Sequence, residues 1–183
     1  MVDEKESAAT PPKPKKYAVL TWGCQMNVDD SNQAAGLLEA EGMTATDDPT
    51  EADVVLLPPS NPVVSVGTIL GVPGIGPALR TAPAPVVGVC PVIGGRAVRG
   101  MADQLLSGLG IEGTAAGIAE HYGARAAGGC LDGWLVADSD AAELTRIEAA
   151  GIAARAVPLL MRDLDATAAM ARAVLDLAGQ VRG

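Results

Sequence analysis

Apolar residues fall along this chain in two rhythms. Short unbroken runs, such as VVLL at 54–57 and PVVGV at 85–89, mark strands buried on both faces. Longer segments place an apolar residue every third or fourth position, the rhythm of a helix with one covered face. The first rhythm predicts strands at 17–23, 43–46, 53–57, 85–89, 133–138 and 155–161. The second predicts helices at 28–41, 101–109, 114–122, 141–150 and 166–178, with a turn or two of helix between 65 and 82. In the last helix Ala169, Met170, Ala173, Val174 and Leu177 share a face. Gly42, Gly110, Gly123, Gly151 and Gly179 stand where helices are expected to stop. Asp140 and Glu143 read as a D-x-x-E start for the helix at 141–150, and Asp163 or Asp165 as the cap of the last one.

Strand and helix alternate throughout. That predicts an α/β fold: a three-layer, Rossmann-like or flavodoxin-like, mostly parallel sheet with helices on both faces. Ligands in such sheets sit at the carboxyl ends of strands. The loops to watch are 23–28, 58–68 and 90–100.

Composition narrows the picture. The chain has 183 residues, which suits a single α/β domain over 17–183 behind a disordered leader at 1–16. With two Trp, two Tyr and no Phe, the core must be built from Val, Leu, Ile and Ala. The net charge is −9, and PPKPKK at 11–16 is the only local basic run, so nucleic acid is not expected as a partner. The apolar runs are too short to span a membrane. Three cysteines far apart and no apolar signal core point to reduced thiols in the cytoplasm. His121 is the lone histidine and no CxxC spacing occurs, so neither a metal site nor a cofactor is expected. The chain is expected as a monomer or homodimer.

Candidate chemistry lies in two loops. SNPVVSVGT offers hydroxyls at Ser60, Ser65 and Thr68, the Asn61 amide, and backbone N–H groups near Gly67. At a strand's carboxyl end that set suits a phosphate; equally, Ser and Asn cap turns. IGGRAVRG supplies Gly94, Gly95, Arg96 and Arg99. Arginine matches diphosphate geometry, and solvated loop arginines are also common. His121 reads as a helix-end residue favoured by the dipole, Asp29 and Asp30 as dipole-complementing residues, and Trp134 as core.

Two resemblances follow from the motifs. TWGCQMN at 21–27, the DS and GLLEAEG of the next helix, and EADVVLL resemble the N-terminal domain of radical-SAM tRNA methylthiotransferases, from about Lys16 to Leu57. That resemblance implies an iron–sulfur role for Cys24. The loop expected to hold the second cysteine is Pro58-Pro59-Ser60-Asn61-Pro62, so Cys24 reads as a vestigial ligand; a cluster on Cys24 and Cys90 is an alternative.

From about residue 53 onward, LLPPSNPVVSVGTILGVPGIGPALR, APVVGVCPVIGGRAVRGMAD, HYGAR, LDGWLVAD and VPLLMRD resemble the 2-phospho-L-lactate transferase family of deazaflavin coenzyme biosynthesis. This second resemblance implies transfer of a phospholactyl or related group from a nucleotide diphosphate to a deazaflavin precursor. It also implies a Gly-rich nucleotide loop and acidic metal-binding residues in an N-terminal segment that this sequence does not show. The two resemblances meet inside one strand, where a splice keeps the register of both halves. The expectation is an engineered chimera joined near 53–58 and not an enzyme, with no catalytic residues. The alternative to that expectation is weak binding of a nucleotide diphosphate or deazaflavin precursor through Ser60, Asn61, Ser65, Gly67, Thr68, Gly94, Gly95 and Arg96.

Overall fold

A computed structural model describes residues 15–19, 25–48, 50–98 and 100–182. The strands are β1 (Lys16–Val19), β2 (Thr44–Ala45), β3 (Val54–Leu57), β4 (Val86–Val89), β5 (Val92–Ile93), β6 (Arg96–Ala97), β7 (Gly133–Ala137) and β8 (Ala153–Val157). The helices are α1 (Gln25–Ala40), α2 (Thr68–Leu70), α3 (Ile75–Thr81), α4 (Ala102–Gly108), α5 (Ala115–Tyr122), α6 (Leu144–Ala149) and α7 (Leu164–Val181). Six strands form one parallel sheet in the order β2-β1-β3-β4-β7-β8. β5 and β6 make a small antiparallel hairpin beside it.

The apolar runs occupy the middle of the sheet. Every residue of β3, β4 and β7 is buried, while β8, at one edge, is half-buried throughout. Helices cover both faces, as the alternation requires. On one face α7 lies across β4, β7 and β8 and beside α1. On the other, the indole N–H of Trp134 donates to the Ala115 carbonyl at 3.1 Å and seats α5 on β7. The expected flavodoxin-like layering is therefore present.

Several element ends differ from expectation. β8 stops at Val157 because Pro158 has no N–H to offer the ladder. The described part of α1 begins at Gln25, three residues ahead of the expected start, and contains Asp29 and Asp30. Asp163 caps α7 by accepting from Ala166 N at 2.8 Å, but the helix runs past Gly179 to Val181. Arg182, just beyond, pairs with Asp53 at 3.2 Å and anchors that last turn.

The D-x-x-E start is not formed. A 3₁₀ turn occupies Asp138–Glu143, and both carboxylates act on other elements. Asp140 accepts from Gly94 N, and Glu143 accepts from Ala116 N at 2.6 Å, supplying an acceptor to the first turn of α5. The supposed leader also differs at its end: Lys16 belongs to β1, and its N–H donates to Asp53 at 2.8 Å. Residues 1–14 lie outside the described residues.

Candidate functional site

Strand order locates the candidate site. β1 connects to β2 on one side, and the chain then crosses to β3 on the other. That reversal opens a crevice outside the carboxyl ends of β1 and β3, the place where doubly wound sheets take ligands. The loop leaving β3 begins at Pro58, beside the crevice. The next strand, β4, feeds the β5–β6 hairpin. The two loops singled out in the sequence thus leave adjacent strands at the same edge.

Within 58–68 most polar groups are engaged locally. Asn61 caps a wide π-type turn at Pro62–Gly67: its side-chain oxygen accepts from Val63 N at 2.9 Å and Val64 N at 3.2 Å. The Thr68 hydroxyl donates to the Val64 carbonyl at 3.0 Å. Ser60 and Ser65 are buried. Gly67 packs so closely that a Cβ there would stand 2.8 Å from the Pro62 carbonyl oxygen. Of the two readings of this loop, turn capping describes Asn61. What the loop presents outward is the exposed Thr68 and the apolar Val64.

The hairpin is built differently. Ile93 and Arg96 pair across a two-residue turn in which Gly94 has φ +59° and Gly95 φ +70°. Positive φ at both central residues defines a type I′ turn, which glycine adopts without steric cost. Arg96 is exposed and makes no ion pair with a described residue. Arg99 lies outside the described residues. At the apex, Gly94 N donates to both oxygens of Asp140, each at 3.0 Å.

The two described thiols, Cys90 and Cys130, are buried. Cys90 is buried at the start of the hairpin segment, and burial pushes its pKa up to about 12, with Asp140 and Glu143 adding to the rise. Cys130 is held at about 11, chiefly by burial, and its thiol donates to the Tyr122 carbonyl. Metal ligation and nucleophilic chemistry both need the thiolate. Cys24 lies outside the described residues, and among those described no group of three or more His, Cys, Asp or Glu gathers. Among the described residues, then, no set of side chains gathers to hold a metal or a cluster. His121 ends α5 in the open, 5.7 Å from the Tyr122 ring.

A cleft of about 310 Å³ lies between α1 and the carboxyl ends of β1 and β2, lined by Tyr17, Val28, Asn32, Thr46 and Asp47 among others. The Tyr17 hydroxyl donates to the Ala35 carbonyl and Glu39, and burial together with Glu39 pushes its pKa to about 12. Tyr17 is therefore an anchor for α1 and not an acid or base near neutrality.

Two arrangements were invisible in the sequence. One is Asp140 on Gly94. The other lies at the opposite end of the sheet. Arg125 donates to the Ala82 and Ala84 carbonyls at 2.7 and 2.9 Å and pairs with Asp132, whose other contact is Val86 N at 2.8 Å. HYGAR and LDGWLVAD contain these two residues. Their seven-residue spacing was the only available signal.

Comparison with known proteins follows the same chain. The family profile described as 2-phospho-L-lactate transferase CofD matches residues 35–174. A phosphoenolpyruvate transferase of Streptomyces coelicolor is 55% identical over 157 residues, 86% of this chain and 46% of that protein. Its namesake from Mycolicibacterium smegmatis is 49% identical over 154 residues, 84% of this chain and 43% of its own. The one from Mycobacterium tuberculosis is 56% identical over 131 residues, 72% of this chain and 38% of its own. The chain thus spans less than half the length of the curated relatives it matches.

These matches overturn the chimera. A match of 157 residues within 183 must begin at or before residue 27 and reach at least residue 157, and so includes nearly all of α1, the supposed junction and everything to β8. The expected seam at 53–58 lies inside the family match, and β3 is bonded in register to β1 and β4 alike. Nothing supports a methylthiotransferase segment, and the expectation of a non-enzyme falls with it, because the relatives are named as transferases. The chain belongs to the family of the 2-phospho-L-lactate transferase CofD.

Proposed function

We propose that this chain forms part of the ligand site of a transferase that moves a phosphoenolpyruvate- or 2-phospholactate-type group. Its ligands are a nucleotide-diphosphate donor and a deazaflavin-precursor acceptor, and the donor's phosphates sit at the carboxyl edge between 58–68 and 94–96. The observation that carries this reading is that both loops lie inside the family match and leave adjacent strands at the switch-point end of the sheet. The exposed Arg96 guanidinium, without an ion pair among the described residues, supplies the fork geometry that a diphosphate requires. In such a transfer negative charge builds on the departing phosphate, and a positioned guanidinium stabilises it. In the loop at 58–68 the Thr68 hydroxyl is spent on its own turn, whereas Asn61 uses only its side-chain oxygen there, which leaves its amide N–H groups as side-chain donors of the loop.

Calorimetric titration with guanosine diphosphate tests the reading, paired with mass detection of a coupled product from donor and precursor. Binding is expected, weakened about tenfold by Arg96→Ala. No heat at millimolar nucleotide, or equal affinity in the variant, would overturn it.

A further inference from the structure

Asp140 stands out among the charged residues at this edge. It is 5% exposed, and among the described residues its side-chain hydrogen bonds all come from a single backbone group, the N–H of Gly94. Taking a carboxylate out of water costs several kcal/mol, and one shared N–H is a small return. The turn itself does not need an ion. A Gly-Gly pair adopts the type I′ conformation unaided, and the backbone pairs Ile93–Arg96 and Val92–Ala97 close the hairpin. What the contact adds is a fixed direction. Asp140 follows β7, which is bonded to β4 in the rigid middle of the sheet, so the carboxylate ties the free tip of the hairpin to the core. Glu143, three residues on, grips Ala116 N and fixes the same turn from the other side. Arg96 lies two residues from the held amide.

We infer that Asp140 is a positioning residue: it locks the apex of the β5–β6 hairpin to the end of β7 and thereby aims Arg96 at the ligand edge. The inference rests on the reading that this edge binds the donor's phosphates.

The test uses the full chain and three variants, Asp140→Ala, Asp140→Asn and Arg96→Ala. Asn keeps an acceptor for the Gly94 N–H while removing the charge, so it serves as the rescue. Two quantities are read: hydrogen exchange of the Gly94 amide, and affinity for guanosine diphosphate. Unfolding curves confirm that each variant is folded. Asp140→Ala is expected to release the Gly94 amide to fast exchange and to weaken binding about tenfold, the factor that about 1.4 kcal/mol represents. Asp140→Asn should restore protection and most of the affinity.

If Arg96→Ala weakens binding but Asp140→Ala does not, the inference fails and the site reading stands. Unchanged Gly94 exchange in Asp140→Ala also overturns it, whatever the affinities. If the unaltered chain binds no nucleotide, or Arg96→Ala binds as well, the site reading itself is wrong and the positioning role goes with it.

Discussion

Arg125→Met removes the charge that organises the amino end of the sheet while keeping most of an apolar stem. In the intact chain the guanidinium meets Asp132 at 2.9 Å and the carbonyls of Ala82 and Ala84, and both charged side chains are 19% exposed. Breaking a fully buried pair by removing one partner costs about 3–5 kcal/mol. With a fifth of each side chain in water, the loss expected here is about 2–4 kcal/mol. Asp132 keeps its bond from Val86 N, whereas the Ala82 and Ala84 carbonyls lose their donor. At this chain length a loss of about 3 kcal/mol lowers Tm by roughly 6–12 °C. Urea unfolding followed by circular dichroism measures the change. A double-mutant cycle with Asp132→Asn isolates the pair, and a coupling of at least about 1 kcal/mol is expected. A total loss under about 1 kcal/mol, the range of exposed pairs, would refute the claim that this half-buried cluster organises the amino end of the sheet.

Three further outcomes follow from the geometry. Gly88→Ala places a Cβ 2.4 Å from the Trp134 ring, and overpacking of a rigid core costs about 1–3 kcal/mol or more, so its urea midpoint should drop clearly; an unchanged midpoint would show that the ring can move aside. In the native chain at pH 8, Cys90 and Cys130 should not react with a disulfide reagent until the protein unfolds, since burial holds both thiols near pH 11–12; peptide mapping that finds either labelled quickly would contradict this. The Asp53 carboxyl is held below the usual carboxylate range, first by the Lys16 N–H and then by Arg182. A depressed folded pKa contributes stability above the unfolded value of about 3.9 and loses it as pH falls through the folded value. Stability should therefore fall more steeply below pH 4 in the unaltered chain than in Asp53→Asn, and parallel curves would argue against the contact.

The sheet was legible because its signal is local. VVLL, PVVGV and GWLVA each carry their burial in their own composition, and a parallel strand covered on both faces needs nothing else to announce it. The side-chain work was not legible, because it is done across the fold. Asp140 reaches a glycine 46 positions away, and Glu143 an alanine 27 away, so a spacing rule that pairs them with each other finds the wrong partners. The loops after β3 and β4 do leave the carboxyl ends of their strands, as the strand pattern implied. Even so, the Asn61 side-chain oxygen and the Thr68 hydroxyl proved to be spent on their own turn. The chimera arose from the same limit. EADVVLL is a generic parallel strand, so it resembles several families at once, and only a match running through α1 and β3 together separates one ancestry from two.

Amide chemical-shift mapping during titration with guanosine diphosphate tests the central claim most directly. Shifts are expected to concentrate at 60–68 and 94–96, at the carboxyl ends of β3 and β4. Shifts confined to the amino end of the sheet, around Arg125 and Asp132, or to no residues at all, would contradict it.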